Sequence, residues 1–282
     1  MSWRINNYNK KSSKKLGWHP SWLDAHLTKF DSELIDVVKW FQVEHDLKAD
    51  GMVGPTTFRR LLSTRDLEEP ENYILVNGQH VKIDWDVKID LMPENCFRTW
   101  KKKRKPNMIV THWDACTSAE KCKRVLQARG ISTHFCIDND GIIYQYVDTN
   151  NPAWHAGAVN NCSIGIDFSN AYYLKYADHY VKKGFNKRPV CRDSSVHGVK
   201  LKPHLGYYPV QIEAYKRLIK ILCDCYNIPL QTPTISDGIA ATGVVNEAVK
   251  KKYKGIICHY HVSRNKIDCA GLDLISIIDG LD

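Results

Sequence analysis

No stretch of this 282-residue sequence is apolar for long enough to cross a bilayer, which argues against a transmembrane helix. No internal repeat is visible, so a solenoid or propeller is not expected. No C-x-x-C pair occurs among the ten cysteines, which removes the usual paired-cysteine zinc or redox motif. Cys223 and Cys225 form only a C-x-C, read here as core thiols. Residues 1–15 are polar and basic with no apolar run behind them, so a secretory signal is not expected either. The expectation is synthesis in a host cytoplasm, where the cysteines serve as thiols or metal ligands rather than bridges and export needs outside help.

What is present is ordinary globular material: 43% hydrophobic and 25% charged residues, enough for a real core. The length suggests one domain of about 200 residues plus a smaller one. A net charge of +9 predicts attraction to polyanions, whether nucleic acid, an anionic membrane or a cell wall.

Asp31 and Ser32 supply N-cap oxygens for a helix over Ser32–His45, whose apolar residues recur at helical spacing. Asp50-Gly51 and Gly54-Pro55 then force a loop, and Pro55 opens a second helix through Leu62. This order, Phe41-Gln42 followed by Asp50-Gly51-Met52-Val53-Gly54-Pro55-Thr56-Thr57, resembles the helical peptidoglycan-binding module of many wall hydrolases. The resemblance implies wall binding around Asp50, Gly51, Gly54 and Thr56, in an all-helical domain of residues 1–68.

An acidic linker over 65–71 leads to a hairpin about Asn77-Gly78. Lys101 to Lys105, KKKRK, reads as a solvated basic loop with a polyanion contact as its functional alternative. Strands are expected at Met108–His112, Phe135–Ile137, Ile142–Tyr146, Ser163–Phe168 and Gly255–Cys258. Helices are expected at Ala119–Arg129, Val210–Cys225 and Val244–Lys252. Strands mixed with helices indicate an α/β (α+β) fold, a mixed central sheet flanked by helices, over residues 69–282.

Two of these strands end in histidines, His112 and His259, and Asp268 and Cys269 follow within ten residues of the second. Two imidazoles and one anion with a fourth position open are what a catalytic Zn²⁺ requires. The stretches IVTHWDA, STHFCIDNDGIIYQYVD, PAWHAGA, NCSIGIDFSNA and CHYHVSRNKIDCAG resemble, in order, successive blocks of type 2 N-acetylmuramoyl-L-alanine amidases. That family includes phage lysozymes with amidase activity and the peptidoglycan recognition proteins.

The resemblance implies one Zn²⁺ per chain on His112, His259 and Asp268, with Cys269 as the alternative third ligand and His261 as a further candidate histidine. It implies catalytic roles for Lys266, at the oxyanion, and Asp167, as proton carrier. It also implies substrate contacts from His134, Trp154, His155 and Trp113. The expected activity is cleavage of the amide between N-acetylmuramic acid and L-alanine by a monomeric phage endolysin; the alternative is a protein that binds peptidoglycan without cutting it. Specific nucleic-acid binding is not expected. Residues 175–208 have no assigned role, and His197 and His204 within them read as surface histidines.

Overall fold

The computed structural model describes residues 2–24, 26–68 and 72–281. Residues 69–71, where the expected linker ends and the second domain was to begin, lie outside the described residues. The chain separates into two compact units, Met1–Pro70 and Glu71–Asp282.

The first unit contains α1 (Ser2–Leu16), α2 (Ser32–Glu44) and α3 (Pro55–Glu68). Asp31 caps α2 by accepting from the Leu34 N–H at 3.3 Å. Trp18, Leu34, Val38, Phe41, Val53 and Leu61 form the core. Helix α3 runs six residues beyond the expected Leu62, so the first part of the anticipated linker is helical.

Helix α1 was not expected, because its stretch carries no apolar stripe; polar groups dock it instead. Asn9 donates to Gly51 O and accepts from Val53 N, both at 2.9 Å, and Ser12 Oγ donates to Val53 O. Gln42, 1% exposed, explains its place in the loop signature. Its amide donates to Asp50 Oδ1, Met52 O and Thr57 Oγ1, all at 3.1 Å, and accepts from Gly51 N at 2.8 Å. Gly51 sits at φ +72°, and a Cβ there would lie 2.8 Å from Ile35 Cγ2, so the loop requires glycine.

The second unit opens with the hairpin β1 (Tyr73–Val76) and β2 (Gln79–Lys82), turning at Asn77-Gly78 with both φ values positive. The central sheet contains β3 (Val87–Ile89), β4 (Met108–Trp113), β5 (Phe135–Ile137), β6 (Ile143–Gln145), β7 (Ser163–Phe168) and a last strand, Gly255–Cys258. Four two-residue strands precede that one, β8 (Val190–Cys191), β9 (Ser195–Val196), β10 (Val199–Lys200) and β11 (His204–Leu205), which makes Gly255–Cys258 β12.

The sheet order is β12-β4-β7-β5-β6-β3. The first four strands run parallel; β6 turns back and β3 follows it. Strand β4 is buried along its whole length, as a parallel strand covered on both faces must be. One face packs on α6 (Pro209–Tyr226) and α8 (Leu274–Asp279) through Tyr215, Leu218, Leu222 and Ile277. On the other face, Ala119 and Cys122 of α4 (Ala119–Ala128) pack with Cys136 and Tyr146. The helix expected at Val244–Lys252 is a single turn, α7 (Asn246–Val249).

Three local readings change. Arg104 is not part of a solvated basic loop: it is 3% exposed and donates to the carbonyls of Thr149, Asn151, Asn160 and Ser163 at 2.6–3.1 Å. Its burial pushes its pKa down to about 10, and four fixed carbonyls compensate for the lost water. Only the lysines of KKKRK face solvent. Cys223 is in the core, but Cys225 is exposed, because positions two apart on α6 point away from each other. The unassigned segment is a folded flap carrying α5 (Ala177–Lys182) and β8 to β11. Buried Arg188 pins it, with its guanidinium 4.7 Å from the Tyr180 ring centroid and 4.5 Å from that of Tyr208, donating to Gly206 O, Ser169 O and Asn139 Oδ1. His204 there is buried rather than a surface histidine.

Candidate metal centre

Parallel strands present their carboxyl ends on one edge, and ligand sites form there. Strand β4 carries His112 near that end, with Asp167 of β7 as its direct cross-strand partner. Thr111 pairs with Cys258 of β12, which puts His259, the next residue, beside His112. Asp268 comes back from the following loop. Three atoms then converge: His112 Nδ1 and His259 Nδ1 are 3.0 Å apart, and Asp268 Oδ2 lies 3.1 Å from the first and 3.0 Å from the second.

A tetrahedral ion with bonds of about 2.0–2.1 Å needs ligand atoms about 3.3–3.4 Å apart. The observed triangle reaches that by opening a few tenths of an ångström, so the donor set fits zinc in both chemistry and size. Cys269 does not join it: the residue is fully buried, and its thiol pairs with Cys258 in the core. Nor does His261, whose Nδ1 accepts from Cys258 N at 3.0 Å and whose Nε2 donates to Ala241 O at 2.7 Å.

Behind His112 a hydrogen-bond chain sets its tautomer. Ser163 Oγ gives its proton to Val159 O at 2.8 Å, so it can only accept from His155 Nε2 at 3.2 Å. His155 Nδ1 is therefore an acceptor, and at 2.9 Å it takes the Nε2 proton of His112. The His112 Nδ1 lone pair is left facing Asp268 and His259, the arrangement that outer hydrogen bonds impose on metal-binding histidines. Asn160 Oδ1 holds the His155 segment by accepting from His155 N and Ala156 N at 3.1 and 2.7 Å.

Burial and the neighbouring His259 push His112 down to about 4, which keeps it neutral. Burial would raise Asp268, but its close contacts with the His112 and His259 rings outweigh this and hold the carboxyl well below the usual range. Asp167 goes the other way: burial first, then the charges of Asp114 and Asp268, raise it well above its ordinary value.

The triangle lies in a cleft of about 340 Å³. Asp167, Lys266, His155, Trp154 and Trp113 line it as well, with Trp154 38% exposed and Trp113 only 8%. Trp113 stacks on Tyr172, ring centroids 4.7 Å apart and 8° from parallel. Two substrate-side expectations shift. His155 reaches the cleft, but its ring nitrogens are committed to His112 and Ser163. His134 is fully buried away from the cleft: Nδ1 accepts from Gly165 N and Nε2 donates to Asn151 O, both at 2.9 Å. In the first unit, Asp50, Gly54 and Thr56 line a shallow groove with Tyr8 and Lys48, while Gly51 is buried in the loop that builds it.

Ser163, Asn160, Gly165 and Arg104 were not among the expected site residues: the first three act through His155, up to ten positions away, and Arg104 through carbonyls 45–59 positions away, contacts that no local pattern marks. Gly165 is the sharpest case, because a Cβ there would sit 2.6 Å from His155 Cγ and 2.7 Å from its Nδ1. Gly165→Ala therefore pushes His155 off His112. Zinc affinity, read by competition with a chromophoric chelator, should fall about 10–100-fold with the fold retained; unchanged affinity would remove His155 from the ligand support.

Comparison with known proteins agrees with this organisation. Residues 14–61 match the family described as putative peptidoglycan binding domain, so the module stands at the N-terminal side. No curated protein matches the chain. Similar solved structures include the catalytic domain of XlyA, 21% identical over 70% of this chain and 99% of that one, TM-score 0.43. The N-acetylmuramoyl-L-alanine amidase LysC from Clostridium intestinale URNW is 20% identical over 69% and 97%, TM-score 0.40. A mutant endolysin from Bacillus subtilis is 20% identical over 70% and 99%, TM-score 0.40. The family assignment rests on the sequence match instead: residues 102–269, more than half of the chain and all three converging ligand atoms, match N-acetylmuramoyl-L-alanine amidase, and the protein belongs to that family.

Proposed function

We propose that this chain cleaves the amide between the lactyl group of N-acetylmuramic acid and L-alanine in peptidoglycan, with one catalytic Zn²⁺ on His112 Nδ1, His259 Nδ1 and Asp268 Oδ2. The observation that carries this reading is the buried triangle of two neutral-capable imidazole nitrogens and one carboxylate oxygen, 3.0–3.1 Å on each side, at the floor of an open cleft. Zn²⁺ there would supply Lewis acidity, polarising the scissile carbonyl and making water nucleophilic at neutral pH.

The remaining work belongs to side chains. Asp167, raised by burial and by its acidic neighbours, is suited to take a proton from the attacking water and return it to the L-alanine nitrogen as the C–N bond breaks. Lys266 is exposed on the cleft and brings positive charge towards the developing oxyanion, a contribution of about 3 kcal/mol for a well-placed donor. Trp154 is exposed enough to meet the substrate, and Trp113, stacked on Tyr172, lines the same cleft. We read residues 1–68 as a wall-anchoring module and 69–282 as the catalytic domain, the first raising the local concentration of substrate for the second. Lysis of the host wall, as by a phage endolysin, follows from this pairing. Among the described residues no helix is long and apolar enough to cross a membrane.

Digestion of purified sacculi followed by mass spectrometry tests the reading. The expected products are stem peptides with free L-alanine amino termini and intact glycan strands, with release stopped by a chelator and restored by zinc. Wall binding without new amino termini would instead identify a recognition protein.

A further inference from the structure

A second cluster of metal-binding atoms lies beside the first; none of its residues is a ligand or proton carrier in the proposed reaction, and Asp114 bears on it only through its charge near Asp167. A carboxylate oxygen of Asp114, Cys122 Sγ and Cys136 Sγ all lie within 4.8 Å of one another. They come from three separate pieces of the fold: the turn after β4, the first turns of α4, and β5. Asp114 is held in place because its other oxygen accepts from Cys116 N at 2.7 Å and Asn170 N at 3.0 Å. Its Oδ2 accepts from the Cys136 thiol, with the sulfur 3.8 Å away.

With metal–sulfur bonds of about 2.3 Å and metal–oxygen bonds of about 2.1 Å, a tetrahedral ion needs sulfur and oxygen about 3.6 Å apart. The measured separation is within a few tenths of an ångström of that. Cys122 is 2% exposed and Cys136 fully buried, so neither thiol is placed to be a surface reagent. Asp114, Cys116 and Cys122 nevertheless line the main cleft, which gives an ion a route in and a water to complete its coordination.

We propose that Asp114, Cys122 and Cys136 form a second metal site, selective for a thiophilic ion such as Zn²⁺ or Cd²⁺ and distinct from the site on His112, His259 and Asp268. Two thiolates and one carboxylate favour soft and borderline ions over Mg²⁺ or Ca²⁺. Uptake releases the two thiol protons to solvent, and the ion then clips α4 to the sheet at the wall of the cleft. The inference stands independently of the catalytic reading, since it concerns different ligands and a different spectroscopic signature.

Cobalt separates the two sites, because only a thiolate-ligated ion gives sulfur-to-cobalt charge transfer. The reduced, metal-free full-length chain is titrated with Co²⁺ while absorbance and ions bound per chain are recorded. Two ions are expected, one with the charge-transfer band. Cys122→Ser and Cys136→Ser should each lose that band and one ion while keeping the other ion, which also shows that the variants fold. His112→Ala should keep the band, and bound metal should protect Cys122 and Cys136 from alkylation read by peptide mass spectrometry. Uptake of a single ion without the band, a band surviving in the double Cys122→Ser/Cys136→Ser variant, or alkylation unaffected by metal would overturn the proposal.

Discussion

Asp268→Ala should lose one equivalent of bound zinc and with it nearly all amidase activity, whereas Cys269→Ala should lose neither. The two residues are neighbours and both side chains can bind zinc, so composition does not separate them. Orientation does: Asp268 Oδ2 lies 3.0–3.1 Å from both imidazoles, while the Cys269 thiol is turned into the core against Cys258. Metal-ion catalysis supplies several kcal/mol of transition-state stabilisation. At about 1.4 kcal/mol per tenfold in rate, its loss corresponds to a fall in kcat/KM of roughly 1,000-fold or more. Cys269→Ala removes only a buried sulfur, a core change expected to cost about 1 kcal/mol of stability. Zinc content by atomic spectroscopy and activity on sacculi, measured on both variants, check the assignment. If the Cys269 variant alone loses its metal, the ligand set described above is wrong.

Asp167→Asn is expected to keep its zinc and lose about 100–10,000-fold in kcat, the usual range for a missing general base. Its cross-strand pairing with His112 sets the carboxylate beside the metal centre without making it a ligand, so metal content and rate should separate in this variant. Replacing Asp167 removes a buried carboxyl already held above its ordinary pKa by desolvation and by Asp114 and Asp268, so folding should not suffer. The pH profile adds a readout that a structural role would not move. Wild-type activity should decline on the acidic side as Asp167 takes up a proton, and that limb should vanish from the residual activity of the variant. Asp167→Glu asks whether reach matters, since the longer side chain restores the carboxylate at a different depth. A kcat within a few-fold of wild type for Asp167→Asn would assign the proton transfer to another group.

Features written in neighbouring residues were legible from the chain itself. The caps and apolar spacing of α2, the Asn77-Gly78 turn, the buried runs of β4 and β7 and the histidines at strand ends all depend on contacts within a few positions. A short-range pattern therefore suffices to mark them. Element ends were less legible: α3 continues past its expected stop, and the late helix shrinks to one turn. Helix α1 was invisible as well. Its anchors are the polar Asn9 and Ser12, and their partners, Gly51 and Val53, lie more than forty residues away.

The sequence by itself determined the fold class, five of the six central strands and the short set of side chains able to hold a metal, since these follow from local periodicity and residue chemistry. Tertiary structure alone decided which of two adjacent ligands faces the imidazoles, that His155 orients His112, and that Arg104 is a buried clamp rather than a surface charge. Each of these depends on where a side chain points after distant segments have paired, and direction in space is a property of the assembled sheet rather than of any stretch of chain.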